Sequence, residues 1–263
     1  TGAEYPHALL EVAWKTMLRC HAHDSISGSG VDAIEEDMMN RLRQVLDVGE
    51  GLYTRSLAWI QQHINISELD ENAAVLTVYN PVTRARSGVV EAVIDLPWEG
   101  PRPRAQFCLR DVSTGEALQV QCAARQPHWA VVNHAWDATA MMRSERFTVY
   151  FNADVVPGLG YASYFVDRTG SFATGSLVSA ANTLENEWLR ACIRSDGTIS
   201  LTDKQRGVVY DDLHYFVDDG EAGHAWMHVR PALDRAVDSR GFPVTVALQE
   251  NGPLLARFKI TYQ

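Results

Sequence analysis

In the stretch RCHAHDSISGSG, residues 19–30, two histidines and an aspartate fall within four positions. Imidazole and carboxylate together suit zinc or a similar divalent cation, and such a site needs three or four protein ligands. A structural reading stands beside this one: a histidine near a helix C-terminus meets the end of the dipole, and an aspartate caps the turn that follows. The other histidines are His7, His63, His128, His134, His214, His224 and His228, and only His224 and His228 come near ligand spacing. In a strand-like segment those two share a face but stand well apart, as surface residues do. If His23 binds metal, most of the remaining ligands must come from outside this chain.

Other chemistry is less well supported. The H-x-H-x-D-H pattern of binuclear zinc hydrolases is not met, because Asp24 comes one position early and Ser25 and Ile26 fill the later places. There is no G-x-S-x-G, no phosphate-binding G-x-x-x-x-G-K-[ST] and no dinucleotide-binding glycine run. GSGVDA at 28–33 reads as an ordinary helix-entry loop, although such a loop can hold an anion. The acidic pairs Asp211-Asp212 and Asp218-Asp219 read as solvated turns rather than a glycosidase dyad. Trp188, Tyr210, Tyr215, Phe216 and Trp226 read as core packing, with a sugar platform as the alternative.

The elements that must position these residues follow from periodicity. Residues 6–19 form a helix with Leu9, Leu10, Ala13, Trp14, Met17 and Leu18 on one face, and the Ser/Gly run 25–30 breaks it. A longer helix over 31–63 carries Ile34, Met38, Leu42, Val45, Leu46, Leu52, Tyr53, Leu57 and Ile60, with acids near its start. Two helices bury little by themselves and call for a further packing partner. From Val75 the period changes, Asn80-Pro81 reads as a turn, and Val89–Leu96 alternates. Further strands are expected at 105–110, 117–124, 128–133, 145–151 and 161–167, and strands so spaced suggest an antiparallel sandwich. Residues 169–182 read as a linker, Asp196-Gly197 as a hairpin turn, and the chain ends in a strand pattern.

The fold class expected is therefore multidomain α+β: a helical hairpin, part of a three-helix bundle, over 1–68, a β-sandwich over 69–170, and the start of a larger β-sandwich over 171–263. A formal net charge of −10 with no basic cluster argues against nucleic acid and an anionic membrane as partners. No apolar run approaches the ~20 residues that span a bilayer. Four scattered cysteines without a C-x-x-C pair point to a reducing, cytoplasmic setting. The abrupt opening without Met suggests a piece of a longer polypeptide.

The stretch AWKTMLRCHAHDSISGSGVDAIEEDMMNRL resembles glycoside hydrolase family 38 α-mannosidases where the catalytic domain joins the helical middle domain. Trp14-Lys15 on the incoming helix, His21-Ala22-His23-Asp24-Ser25-Ile26-Ser27-Gly28, and Asp37-Met38-Met39-Asn40-Arg41 match in order and spacing over about 30 residues. Residues 184–226 resemble the family's first long β-domain. The resemblance implies hydrolysis of terminal α-mannosides with retention at a zinc site. It makes His23 a Zn²⁺ ligand and Asp24 the contact to the sugar hydroxyls, and it aligns His21 with no ligand. The nucleophile, the acid/base and a His-x-Asp pair belong to an upstream catalytic domain of the same polypeptide, so this part alone is expected to be inactive. Assembly into a homo-oligomer is common in the family. GEAGHAWMHV at 220–229 replaces an Asp/Tyr-rich loop of relatives, which leaves the substrate open between an oligomannoside and a small mannosyl compound such as mannosylglycerate. The alternative, from a different class, is a non-catalytic carbohydrate-binding or scaffolding module.

Overall fold

A computed structural model of the chain describes residues 4–98, 100, 106–132, 138–224 and 226–263. His134 and the ends of two expected strands, residues 105 and 133, lie outside the described residues. The chain divides into two compact units, Thr1–Ser67 with Glu221–Val229, and Glu68–Gly220 with Arg230–Gln263.

The first unit is helical. Helices α1 (His7–Cys20) and α3 (Asp32–Gln61) pack on one another. Their boundaries fall within two residues of the periodicity, and Asp32 and Glu35 occupy the first turn of α3, where the dipole favours them. A short helix, α2 (His23–Ser27), stands inside the Ser/Gly run that was expected only to break the first helix. It forms because Gly28 caps it in the left-handed conformation (φ 68°), returning its N–H to the carbonyls of Asp24 and Ser25. Cys20 is buried and its thiol reaches the Met38 carbonyl at 3.9 Å.

The second unit is antiparallel sheet. A four-stranded sheet runs β1 (Val75–Asn80), β7 (Gly160–Asp167), β3 (Cys108–Asp111), β4 (Ala117–Leu118) in spatial order. A three-stranded sheet runs β2 (Arg86–Pro97), β6 (Ala140–Val156), β5 (Val120–Val132). One core draws on both sheets: Ile94 and Leu96 from β2, Leu109 from β3, Val120 from β5, Phe147, Val149 and Phe151 from β6, with Phe107 ahead of β3. Phe107 meets Phe147 and Phe172 edge-on at 5.3 and 4.9 Å, the arrangement the ring quadrupoles favour. Asn80 ties the expected Asn80-Pro81 turn to this core: its buried amide donates to the carbonyls of Arg84, Val156 and Pro157 at 2.9–3.1 Å.

Residues 169–182 are not a free linker. Phe172 packs on the core, the Ala173 N–H bonds the Val120 carbonyl at 2.7 Å, and β8 (Val178–Ala180) begins the next sheet. Gly170 sits so close to Cys108 that a Cβ there would lie 2.5 Å from its sulfur. That sheet is five-stranded, in the order β12 (Val208–Leu213), β11 (Ile199–Asp203), β10 (Leu189–Ile193), β9 (Thr183–Glu185), β8. The hairpin expected at Asp196-Gly197 joins β10 to β11, with Gly197 at φ 84° and Asp196 accepting from the Thr198 N–H and hydroxyl. Two further pairs follow, β13 (Val217–Asp218) with β14 (Val237–Asp238), and β15 (Val244–Glu250) with β16 (Arg257–Tyr262). Gln121, buried on β5, fastens the β15–β16 connection: its carbonyl accepts from Leu254 and Leu255, and its amide donates to Glu250 and the Leu255 carbonyl.

Candidate functional site

The His21–Asp24 cluster occupies the joint between α1 and α3. His21 closes α1 as its C-cap, its N–H on the Leu18 carbonyl. Ala22 is extended, and the chain then turns abruptly, so that His23 opens α2 at φ 30°. A positive φ on a residue with a Cβ is strained, and such strain persists only where the surrounding structure enforces it. Here the enforcement is local. The Asp24 carbonyl accepts from Gly28 and, at 3.1 Å each, from the Ser29 N–H and the Ser27 hydroxyl. Ser27 and Ser29 hydroxyls bond one another at 2.8 Å, and Ser29 reaches the Asp24 carboxylate at 3.4 Å.

The two side chains of interest touch. His23 Nδ1 stands 2.7 Å from Asp24 Oδ1, while the His23 side chain is 87% exposed. This leaves His23 Nε2 and Asp24 Oδ2 without a partner among the described residues. A metal-binding imidazole normally has its other nitrogen held by a carboxylate or carbonyl, which fixes the tautomer and the ring orientation. The donor set here therefore fits one corner of a metal site. No group of three or more His, Cys, Asp or Glu that could hold a metal ion occurs among the described residues.

The loop Glu221–Val229 belongs to the same unit as these helices. Among the described residues around His224 and His228 there is no strand, only an isolated bridge in which His224 and Met227 bond each other's backbone at 3.1 and 2.9 Å. Sequence spacing missed the tie that organises it. Glu221 accepts from the Gly223 and Val229 N–H groups and pairs with His228, and these three contacts, in the order Val229, Gly223, His228, hold its carboxyl down at about 2. The only sequence signal was an acid seven positions before a histidine with a glycine between.

The aromatic residues expected in the core are on the surface. Trp188, Tyr210, Tyr215, Phe216 and Trp226 are all exposed, Trp226 by 68%. Tyr210 lies in β12, an edge strand whose residues are all exposed, and the other four lie outside the strands; Arg240 lies over Tyr215 at 4.1 Å and Phe216 meets Tyr262 edge-on at 5.7 Å. Asp211 and Asp212, read as solvated turn residues, sit at the end of β12 and both pair with Arg194.

Residues 1–60 match the model of the alpha mannosidase middle domain. Over 270 aligned residues, 95% of the chain, it is 23% identical to the "Putative mannosylglycerate hydrolase" of Halalkalibacterium halodurans, of which it covers 30%. The fold is that of an alpha-mannosidase from Enterococcus faecalis V583 (TM-score 0.86, 24% identity, 98% of this chain and 31% of that one). It is also that of a glycosyl hydrolase family 38 protein from Enterococcus faecalis (TM-score 0.85, 23% identity, 98% and 32%). The chain thus spans under a third of the length of these relatives.

Proposed function

Starting from a chain of the glycoside hydrolase family 38 α-mannosidase type, we propose that it is part of a retaining α-mannosidase acting on terminal α-mannosides. In this reading His23 supplies one zinc ligand and Asp24 one contact to the bound sugar. The nucleophile, the acid/base and the other ligands belong to a catalytic domain elsewhere in the same polypeptide, and this chain alone is inactive. The rest of the polypeptide covers the apolar stripe of α1 and α3, the three- and four-stranded sheets form a β-sandwich, and the setting is the cytoplasm.

The observation that supports this most is the His23–Asp24 pair. A strained backbone presents an imidazole with Nδ1 already held by Asp24 and Nε2 turned free. Asp24 keeps Oδ2 to accept from a sugar hydroxyl. Zinc bound there would supply a Lewis acid for the sugar hydroxyls. The family-model match over residues 1–60 contains both residues.

The test is assay of the full-length polypeptide on a panel of α-mannosides, mannosylglycerate included, with and without chelator. His23→Ala should lose metal and at least about 100-fold in activity together, whereas Asp24→Asn should keep metal and lose activity. Unchanged activity in His23→Ala removes that residue from the mechanism. Zinc titrated into this chain alone should bind weakly, and a tight one-to-one site would sink the shared arrangement. The exposed aromatics favour the second reading, a carbohydrate-binding module; a full-length polypeptide lacking a His-x-Asp at a strand end upstream would leave that reading in place.

A further inference from the structure

At one end of the β core the packing stops and a cavity of about 500 Å³ opens, a size within the ~300–1,000 Å³ range of small-molecule sites. The reason is legible in register. Leu109 faces Val166 across β3 and β7 inside the core, and two residues on, Asp111 faces Tyr164. Ala162, the next residue on that face of β7, is too small to fill the space. From β6, Asn152 and Asp154 complete the polar side of the cavity, while Leu118 and Ala162 give it an apolar side. No sequence motif marks this site, because its residues come from separate strands.

Tyr164 supplies the cavity's hydroxyl. It is 1% exposed, and its ring packs edge-on against Phe151 at 5.2 Å, yet its hydroxyl has no hydrogen-bond partner among the described residues. Among the described residues no side-chain polar atom is both sealed from solvent and without a partner, so this hydroxyl opens to the cavity, where a ligand can accept from it. Burial, with the nearby carboxylates of Asp111 and Asp154 adding to it, pushes the phenol up to about 12, so it stays a neutral donor at any physiological pH. The carboxylates are only half used. Asp111 Oδ1 accepts from the Ser113 N–H and hydroxyl and the Thr114 N–H, and Asp154 Oδ1 accepts from Asn152 at 3.4 Å, leaving each Oδ2 open among the described residues.

We propose that this cavity binds a neutral, hydroxyl-rich ligand of the saccharide class, held by the Tyr164 hydroxyl and by the open carboxylate oxygens of Asp111 and Asp154. One donor and several acceptors beside an apolar wall match a pyranose, which offers hydroxyls at its rim and C–H groups on its face. An anion is refused by the carboxylates. A metal ion is not favoured, since no ligand group of the needed size occurs among the described residues.

The experiment is titration of the chain with methyl α-D-mannopyranoside and methyl β-D-glucopyranoside, followed by saturation-transfer NMR, with ethanolamine and inorganic phosphate as charged probes. A pyranoside should bind in the millimolar range, and Tyr164→Phe should weaken it at least about fivefold. Tyr164→Phe keeps the ring and removes only a hydroxyl that has no hydrogen-bond partner among the described residues, so its thermal midpoint should stay level or rise. Asp154→Asn, an exposed change, should weaken binding by a similar factor. The proposal is overturned if neither pyranoside binds, if ethanolamine or phosphate binds instead, or if both variants bind like wild type. Binding lost in Asp24→Asn but kept in Tyr164→Phe would belong to the His23–Asp24 turn, and would overturn this proposal while leaving the mannosidase reading intact.

Discussion

In the β unit Phe107, Phe147 and Phe151 are fully buried in a core that two sheets share; in the helical unit Trp14, Leu18, Leu46 and Tyr53 stand open to solvent. Phe147 and Phe151 follow the apolar period of β6, as the helical residues follow that of α1 and α3. The difference is that paired strands bring a second layer within the same stretch of chain, whereas two helices offer each other one stripe apiece and leave the rest of the apolar arc bare. Within α1 and α3 the buried residues are Cys20 and Met38. Periodicity states which residues share a face. It does not state what covers that face.

The comparison is most easily broken by matched truncations. Phe147→Ala should cost about 3–5 kcal/mol, because it empties a site closed by Phe107 and Phe172. Leu46→Ala should cost under about 1 kcal/mol in this chain, since little apolar area leaves water there. Urea unfolding followed separately by helical and sheet signals reads both. If Leu46→Ala proves as costly as Phe147→Ala, the helical face is covered in solution and the contrast fails. In the full-length polypeptide, the proposed cover should bring the Leu46→Ala cost into the core range.

How much of this was legible in sequence depends on the same contrast. The two long helices and the Asp196-Gly197 hairpin were readable because a period or a turn residue fixes them locally. Strand β5 was not, since Pro127 invited a break between 117–124 and 128–133. The structure runs through it, with Pro127 opposite Glu145, because β5 is the edge strand of its sheet and a proline's missing N–H costs nothing on the open side. The exposed aromatics of β12 and the loops after it were misjudged for the converse reason: apolar composition implies burial only when a second layer arrives. Of the candidate site, the residues His23 and Asp24 could be named, while their mutual contact and the positive φ that presents them could not. Both depend on side-chain and backbone bonds from Ser27, Gly28 and Ser29 that no spacing rule encodes.

Acid sharpens the contrast next. Asp167 at the end of β7 accepts from the Thr169 hydroxyl at 2.6 Å and from Arg110 Nε at 2.6 Å, which hold its carboxyl at about 2, against an ordinary 3.8. A folded-state value below the unfolded one gives stability that is complete above pH 4 or so and is lost as pH falls toward 2. Allowing for solvent screening, the loss is about 1–2 kcal/mol. Urea midpoints for wild type and Asp167→Asn should converge across that window and differ above it. The helical unit's exposed ion pairs, such as Lys15 with Glu11, should contribute little to any acid transition. A helical signal that melts first between pH 4 and 2 would contradict this division.

The smallest effect is expected at Gly28, and it tests whether the turn is held by backbone conformation alone. A Cβ built there meets nothing within 4 Å, so Gly28→Ala introduces no clash. The cost is that of placing a side chain at φ 68°, about 1 kcal/mol. That penalty falls on the unit with the weaker core and on the residue that caps α2, so it should appear less in the global midpoint than in local opening. Hydrogen exchange at Gly28 and Ser29, whose N–H groups close the turn on Asp24 and Ser25, should quicken several-fold, with β-core amides unchanged. Should exchange there stay at the wild-type rate, the serine hydroxyls rather than the glycine hold the His23–Asp24 turn, and Ser29→Ala becomes the variant that loosens it.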